Sequence, residues 1–199
     1  MTGNMKKTKH SYLRVFFLAF LIFGITVLPM VIYNKGYLIY YGDFNSQQLP
    51  FLKHMHDCVT NGNILWDWNT DLGSDFINAY SFYLLGSPFF WITALLPEEY
   101  VLFSVPWILA LKYAFAALTS YAYIKRFVKS DSSAVLGCLL YAFSGFQSYN
   151  IFFNHFHDTT ALFPLLLIAM EEHVTKNRRG VFALTVALMA VTNYFFFAG

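Results

Sequence analysis

The chain contains 199 residues, of which 57% are hydrophobic and only 12% are charged. Soluble domains usually carry about 25% charged residues, so this composition excludes an ordinary soluble protein and indicates lipid as the main environment. The formal net charge is +2, but the basic residues lie at the ends of apolar runs and form no face with interleaved aromatic residues. Nucleic-acid binding is therefore not expected.

The charged residues alternate along the chain in a pattern typical of a multi-pass membrane protein. Ten of the thirteen basic residues form three short clusters, and eight of the eleven acidic residues lie between these clusters. The basic clusters are Lys6, Lys7, Lys9 and Arg14; Lys125, Arg126 and Lys129; and Lys176, Arg178 and Arg179. Because Lys and Arg concentrate on the cytoplasmic side of membranes, the pattern predicts a cytoplasmic amino terminus and acid-rich outer loops.

Five apolar runs predict membrane-spanning helices, which makes the chain an all-α polytopic bundle. A helix needs about 20 apolar residues to cross a bilayer. The predicted spans are 15–33, 101–124, 133–149, 159–173 and 181–198. The first run is long for a signal peptide and lacks a small-residue cleavage site, so we interpret it as a retained helix. We expect one membrane domain over 1–199, forming the amino-terminal part of a longer protein.

The stretch 34–100 is predicted to be a long outer loop that carries amphipathic and interfacial helices. A helix from about Gln47 to Val59 would place its apolar residues on one face, which could lie on the membrane surface. That face comprises Leu49, Leu52, Met55, His56 and Val59. The segment 80–96 is apolar but interrupted by Gly86 and Pro88, and a crossing there would carry the second basic cluster outside. We therefore interpret it as interfacial or re-entrant.

A lysine within a predicted span and the two cysteines need an explanation. Lys112 lies inside the predicted span 101–124, so we expect it to face the bundle interior or a wet cavity, or to pair with an acid. Cys58 and Cys138 belong to regions of different depth, so a disulfide is not expected. Neither cysteine has the sequence spacing of a metal site.

Asp43 is the first candidate for chemistry, because it follows the first span by about ten residues and is set among amide side chains, including Asn45 and Gln47. A carboxylate near the membrane surface could bind a cation or act as a general base. The alternative is that Asp43 caps the helix that follows it.

The loop 67–75 places oxygen ligands at every second position, as a calcium loop does. Its Gly73 comes one position late for an EF-hand, and Asn78 stands where a bidentate Glu is needed. A loosely bound cation, a sugar held against Trp66 and Trp68, or a plain solvated loop therefore remain as interpretations.

A second polar cluster, His155, His157 and Asp158, is predicted at the outer end of two spans. Two histidines and an aspartate could ligate a metal, hold a phosphate or shuttle a proton. Alternatively, these are polar residues that end helices, with Asp158 as a cap. His54 and His56 of the first outer loop are further candidates for the same site. No Gly-rich phosphate loop, H-E-x-x-H or G-x-S-x-G motif occurs, so no nucleotide cofactor is expected.

A series of stretches in this order resembles the amino-terminal part of the YfhO family, which comprises bacterial polytopic membrane proteins. The stretches are Gly42–Phe51, Gly62–Asn63, Trp66–Trp68, Leu72–Asp75, Tyr83–Phe89, Tyr141–Gly145 and Asp158–Pro164. The family is similar to the GT-C class of integral-membrane glycosyltransferases. That class takes a sugar from a polyprenyl-phosphate carrier and transfers it on the outer face of the plasma membrane.

The resemblance implies a set of partners and site residues. The partners are the lipid bilayer, a polyprenyl-phosphate-linked sugar and a cell-envelope glycopolymer such as lipoteichoic acid. The essential first-loop acid of the class, often part of a D-x-D-like pair, matches Asp43, and Asn45 stands in place of the second carboxylate. Asp43 is thereby implied as the catalytic base, and the need for a divalent cation is left open. The implied substrate-binding residues are Asn45, Gln47, Trp66, Trp68, His155, His157 and Asp158.

Two alternatives to a glycosyltransferase are a lipid or polymer transporter and a non-catalytic, truncated membrane fragment. Transporters place polar and broken helices at the bilayer midplane. In this sequence the polar residues concentrate in the outer loops, which favours chemistry at the outer surface. Members of the family are much longer, so we expect an isolated 199-residue piece to be inactive.

Overall fold

The computed structural model describes residues 2–198, with side chains from residue 10 onward, and it is mostly helical. The helices are α1 (Thr2–Tyr33), α2 (Leu49–Thr60), α3 (Phe76–Tyr80), α4 (Pro88–Thr93), α5 (Glu98–Ile124), α6 (Asp131–Ala142), α7 (Gly145–Tyr149), α8 (Phe156–Lys176), α9 (Arg179–Thr192) and α10 (Tyr194–Ala198). The strands β1 (Trp66–Asp67) and β2 (Ser74–Asp75) form an antiparallel hairpin. A π-helical segment, Phe44–Gln48, precedes α2, and a 3₁₀ turn, Asn150–Phe152, follows α7.

Helix α5 is the centre of the bundle and packs against α1, α6 and α8. Within the described residues, two helical stretches are long and apolar enough to cross a membrane, His10–Tyr33 of α1 and Glu98–Ile124. The middle of α5 buries a series of alanines completely. These are Ala110, Ala114, Ala116 and Ala117. Small side chains let neighbouring helices approach closely, which is how helices associate within a bilayer.

Two of the five predicted spans are broken helices. The predicted span 133–149 divides into α6 and α7 at Ser144, whose hydroxyl accepts a hydrogen bond from the Gln147 amide and so caps α7. The predicted span 181–198 divides into α9 and α10 at Asn193, which is extended. Hydropathy averages over such positions, because a single capping residue hardly changes the mean of an apolar run. The number of membrane crossings therefore stays a prediction.

The first predicted loop folds back onto the bundle. The apolar face of α2 is buried in the protein core, with Leu52, Met55 and His56 almost inaccessible, so the predicted placement on the membrane surface is wrong. The region 80–96 contains one short helix, α4, flanked by turns, in agreement with the non-spanning interpretation. The Ser87 hydroxyl begins α4 by accepting hydrogen bonds from the Phe89 and Phe90 amides at 3.1 and 3.2 Å.

The structure sorts the charged side chains to two ends of the bundle. At one end, Arg126 after α5 pairs with Glu171 of α8 at 2.6 Å, and Ser11 of α1 donates to Asp131 of α6 at 3.2 Å. We call this the basic end, because it holds the second and third basic clusters; the side chains of Lys6, Lys7 and Lys9 lie outside the described residues. The opposite, acidic end holds Asp43, Asp57, Asp67, Asp71, Asp75, Glu98 and Glu99.

Lys112 and Asp158 form a buried ion pair that joins the middle of α5 to the start of α8. The Lys112 Nζ lies 2.7 Å from the Asp158 Oδ1, and both side chains are inaccessible to solvent. The same Nζ donates to the side-chain and main-chain oxygens of Asn154 at 2.7 and 3.0 Å. The sequence-based expectation that Lys112 pairs with an acid is confirmed.

We predict that Lys112→Met destabilises the chain far more than the double change Lys112→Met with Asp158→Leu. The single change leaves an uncompensated buried carboxylate, which costs about 3–5 kcal/mol, whereas removing both charges is often close to neutral. Thermal unfolding in detergent, followed by size-exclusion profiles, measures this difference. Equal losses in the single and double variants would contradict a compensating pair.

A second prediction concerns Gly86, which touches the backbone of α9. A Cβ atom built at Gly86 would overlap the carbonyl oxygen of Val191, whereas one built at Gly145 would meet nothing within 4 Å. We expect Gly86→Ala to destabilise the chain by about 1–3 kcal/mol, the usual cost of overpacking. Gly145→Ala is the matched control and should leave the melting temperature within error. Similar melting temperatures for both variants would show that the loop and α9 do not meet as described.

Candidate active site at the acidic end

Asp43 lies where the chain turns from α1 toward α2. The residue before it, Gly42, has a φ of 58°, and Asp43 begins the π-helical segment. Its exposed carboxylate makes no capping hydrogen bond with any residue that the structure describes. The geometry does not support the interpretation of Asp43 as a side-chain cap, and the carboxylate is free to meet a ligand.

The amide side chains after Asp43 hold this loop in place. Asn45 accepts a hydrogen bond from the Tyr40 amide at 3.0 Å and donates to the Tyr40 carbonyl, so it closes the loop on itself. Gln47 accepts from the Gln48 side-chain amide at 3.4 Å. Gln48, which the sequence analysis did not single out, is buried and reaches His155 at 3.0 Å. The observed hydrogen bonds of Asn45 and Gln47 serve the loop itself, and substrate binding by either residue stays a prediction.

An open pocket of about 220 Å³ lies between the hairpin, α2 and α3. Its wall combines aromatic rings with polar groups: Phe51, Asn69, Thr70, Asp71, Ala79, Tyr80 and Tyr83. The Phe51 ring packs edge-on against Tyr83 and Tyr80, with centroids 4.8 and 5.4 Å apart. Apolar surface with a few placed polar groups is the usual composition of a small-molecule site.

Tyr83 connects this pocket to Asp43. Burial raises the pKa of the Tyr83 hydroxyl, and the carboxylates of Asp43 and Asp71 raise it further. Asp71 and Tyr83 both line the pocket, and the electrostatic effect of Asp43 on Tyr83 indicates that its loop lies on the same side of the protein.

The two predicted sugar-binding tryptophans lie on the outside of the hairpin. Trp66 and Trp68 are exposed by 53% and 75%, and their rings meet edge-on with centroids 5.7 Å apart. Both rings pack over Gly73, whose φ is 112° and whose Cβ, if present, would lie 3.0 to 3.2 Å from ring atoms. They form a small exposed platform beside the pocket, and their role in sugar binding stays a prediction.

The carboxylates of the predicted calcium-like loop do not converge. Asp75 caps α3 by accepting a hydrogen bond from the Asn78 amide at 2.7 Å. Asp67 turns into the protein and is 5% exposed, while Asp71 stays exposed in the turn. The alternating oxygens therefore serve the hairpin and its neighbours instead of a single cation.

The second predicted cluster is enclosed in the protein, and its predicted place at the outer ends of two spans stays a prediction. His155, His157 and Asp158 are at most 1% exposed, and Asp158 contacts Lys112 halfway along α5. After the break that follows α6, the chain packs against the middle of α5 before α8 begins. His157 Nε2 bonds the Asn150 carbonyl at 3.1 Å, and its Nδ1 faces the Gln147 side chain. Substrate binding by these three residues stays a prediction and would require this region to open.

His54 and His56 do not join that cluster. His56 lies 2.9 Å from the Leu96 carbonyl, which ties α2 to the end of the 80–96 region. His54 instead meets Asp67 at 2.5 Å and Cys58 at 3.5 Å. Burial opposes ionisation of Asp67, but hydrogen bonds from Thr70, His54 and the Asn69 amide outweigh it, so the pKa of this carboxyl lies below its usual value. The sequence analysis missed this group, because the spacing of the cysteines matches no metal motif; the available signal was the i, i+4 spacing of His54 and Cys58, which places both on one face of a helix.

Comparison with known proteins places this arrangement in a family. A family profile described as "Bacterial membrane protein YfhO" matches residues 15–197. The chain is 24% identical over 169 residues to a Bacillus subtilis (strain 168) protein named "Uncharacterized protein YfhO". That alignment covers 78% of this chain and 20% of the relative, so the chain spans about a fifth of the relative's length. No solved structure matches the chain.

The family match extends over the loops of the acidic end as well as over α1, α5 and α8. The chain therefore belongs to the YfhO family of bacterial membrane proteins.

Proposed function

We propose that the chain is part of an integral-membrane glycosyltransferase of GT-C type. The enzyme would move a sugar from a polyprenyl-phosphate carrier to a cell-envelope polymer such as lipoteichoic acid. One observation supports this most: Asp71 and Tyr83 line an aromatic and polar pocket, and the exposed, uncapped carboxylate of Asp43 acts electrostatically on the same Tyr83. The resemblance of Asp43 to the essential first-loop acid of the GT-C class points to the same place.

The proposed chemistry is a single displacement with inversion at the anomeric carbon. Asp43 accepts the proton of the acceptor hydroxyl while that oxygen attacks the anomeric carbon. The bond between this carbon and the phosphate oxygen breaks, and the lipid phosphate leaves with the bonding electrons. Asp71 supplies the second carboxylate that Asn45 lacks, and it would favour a cation beside the leaving phosphate.

The distribution of charge supports an orientation for this reaction. With Lys and Arg retained in the cytoplasm, the basic end faces inward and the acidic end faces outward. The pocket then lies on the side where lipid-linked sugars meet the envelope polymer. The aromatic rings around the pocket suit a sugar ring, because their faces pack against its apolar C–H surface.

The surroundings of the buried charges support transport less well than they support a glycosyltransferase. A transporter needs room for its substrate beside polar groups at mid-depth. The cavity that touches Lys112 and Asn154 measures only about 10 Å³. About one water molecule fits such a space, and Lys112 is already bonded to Asn154 and Asp158.

We predict that Asp43→Asn in the full-length protein lowers sugar transfer about 10²- to 10⁴-fold, the range for loss of a general base. The measurement is sugar on lipoteichoic acid in a host that lacks the native gene, at matched protein levels. Asp75→Asn is the matched control at the same end, since asparagine also caps helices and should preserve activity. Undiminished transfer by the Asp43 variant would remove this carboxylate from the mechanism.

A further prediction separates the pocket from the tryptophan platform. Tyr83→Ala removes a pocket wall, and we expect the KM for the lipid-linked sugar to rise roughly 5- to 10-fold, since an aromatic contact contributes about 1 kcal/mol beyond its buried area. Trp68→Ala should change KM little if the sugar occupies the pocket. The opposite result, with the loss in the Trp68 variant, would place the sugar on the hairpin.

A further inference from the structure

Three potential metal ligands from two elements meet beneath the hairpin. His54 and Cys58 lie one turn apart on α2, and Asp67 comes from β1. One ligand atom of each, a histidine nitrogen, the cysteine sulfur and a carboxylate oxygen, lies within 4.8 Å of the other two. We propose that His54, Cys58 and Asp67 bind a zinc ion, independently of the glycosyltransferase proposal.

The distances suit a tetrahedral ion with little rearrangement. Zinc bonds of about 2.0 Å to nitrogen, 2.3 Å to sulfur and 2.0–2.2 Å to oxygen imply ligand separations of roughly 3.3–3.6 Å. The His54 Nε2 to Cys58 Sγ distance is 3.5 Å, which already meets this requirement. His54 Nε2 and Asp67 Oδ2 are 2.5 Å apart, so the pair must open by about 1 Å as the metal replaces the shared proton.

Neighbouring groups fix the orientation of the Asp67 carboxylate. Thr70 Oγ1 donates to Asp67 Oδ2 at 2.5 Å, and the Asn69 amide donates to Oδ1 at 2.9 Å. Such hydrogen bonds to a ligating carboxylate fix its orientation and are a regular feature of metal sites. They also favour the ionised form that a metal requires.

The cysteine points to a soft cation. Cys58 is a free thiol and 5% exposed, and burial raises its pKa, with the carboxylates of Asp67 and Asp57 adding to the effect. A cation among these groups would reverse this effect, and the thiol proton would leave to solvent as the sulfur bonds the metal. Sulfur and nitrogen are poor ligands for Mg²⁺ and Ca²⁺ but good ones for Zn²⁺, so zinc is the expected occupant.

The fourth position of the ion is open to water. The His54 side chain is 25% exposed while that of Asp67 is 4% exposed, so solvent reaches the group from the histidine side. Three protein ligands with an open fourth position are the arrangement of exchangeable zinc sites. The bound ion would fasten the hairpin to α2, because the ligands belong to both.

The test is cobalt and zinc binding by the full chain, purified in detergent without a histidine tag. We expect one Co²⁺ per chain, with the near-ultraviolet charge-transfer band of a thiolate ligand. Cys58→Ser should abolish that band, and Asp67→Asn should weaken zinc binding about 100-fold or more in a chelator competition. Cys138→Ser is the matched control, because Cys138 is the other buried free thiol and lies in α6.

Each variant is first checked for a monodisperse size-exclusion profile without metal, so that loss of binding is not confused with loss of folding. A thiolate band that persists in the Cys58 variant, or that disappears equally in the Cys138 variant, would overturn the proposal. Stoichiometric zinc binding that is unchanged by Asp67→Asn and by His54→Ala would overturn it as well.

Discussion

The organisation of this protein depends on hydrogen bonds to an irregular, polar segment of the chain between α6 and α8. This segment packs against the middle of the central helix α5. The chain leaves regular helix between α6 and α8, at the level of Lys112 and Tyr113. Irregular backbone at this depth is tolerated only when other protein groups satisfy it. Lys112 donates to the Asn154 carbonyl at 3.0 Å, Tyr113 to the Gln147 carbonyl at 2.9 Å, and His157 lies 3.1 Å from the Asn150 carbonyl.

These contacts also fix how the long helices lie beside one another. Lys112 pairs with Asp158, and further along both helices the Thr119 hydroxyl donates to the Ala161 carbonyl at 2.8 Å. Near the ends of the two helices, Arg126 pairs with Glu171. In these three contacts the residue numbers increase in the same direction in both helices, so α5 and α8 run parallel and bring their basic residues to the same end. The grouping of basic residues seen in the sequence therefore follows from the way these two helices are aligned.

The acidic end is attached to the same irregular segment. Gln48, just before α2, reaches His155 next to the broken segment, and Lys53 of α2 pairs with Glu98 at the start of α5. The loop that carries Asp43 therefore continues from α1 on one side and leads on the other side into α2, which these contacts hold to the bundle. A loop tied in this way keeps a carboxylate in a defined place without burying it, which a general base requires.

The parts of the fold that the sequence predicts are those that depend on composition over many residues. The long helices α1 and α5, the absence of a long helix at 80–96 and the pairing of Lys112 follow from hydropathy and from the cost of a buried charge. The breaks at Ser144 and Asn193 do not, because each depends on one side chain that replaces a main-chain hydrogen bond. The burial of His155 and His157 could not be predicted either, because the irregular segment that precedes α8 begins at the break at Ser144.

In the candidate site, too, some residues can be predicted from the local sequence, whereas others are recognised only from tertiary contacts. Asp43 could be selected from its place after the first span, whereas Asp71 could not, because only the fold brings its loop to Tyr83. Similarly, the spacing of His54 and Cys58 is visible in the sequence, but the third ligand, Asp67, arrives through the hairpin. Thr70 then joins the two regions: its hydroxyl bonds Asp67 on one side and lies 2.8 Å from the Tyr80 hydroxyl on the other. An ion bound by Asp67 would therefore stiffen the pocket wall that Thr70 and Tyr80 form, because the proposed zinc site and the proposed sugar pocket share these hydrogen bonds.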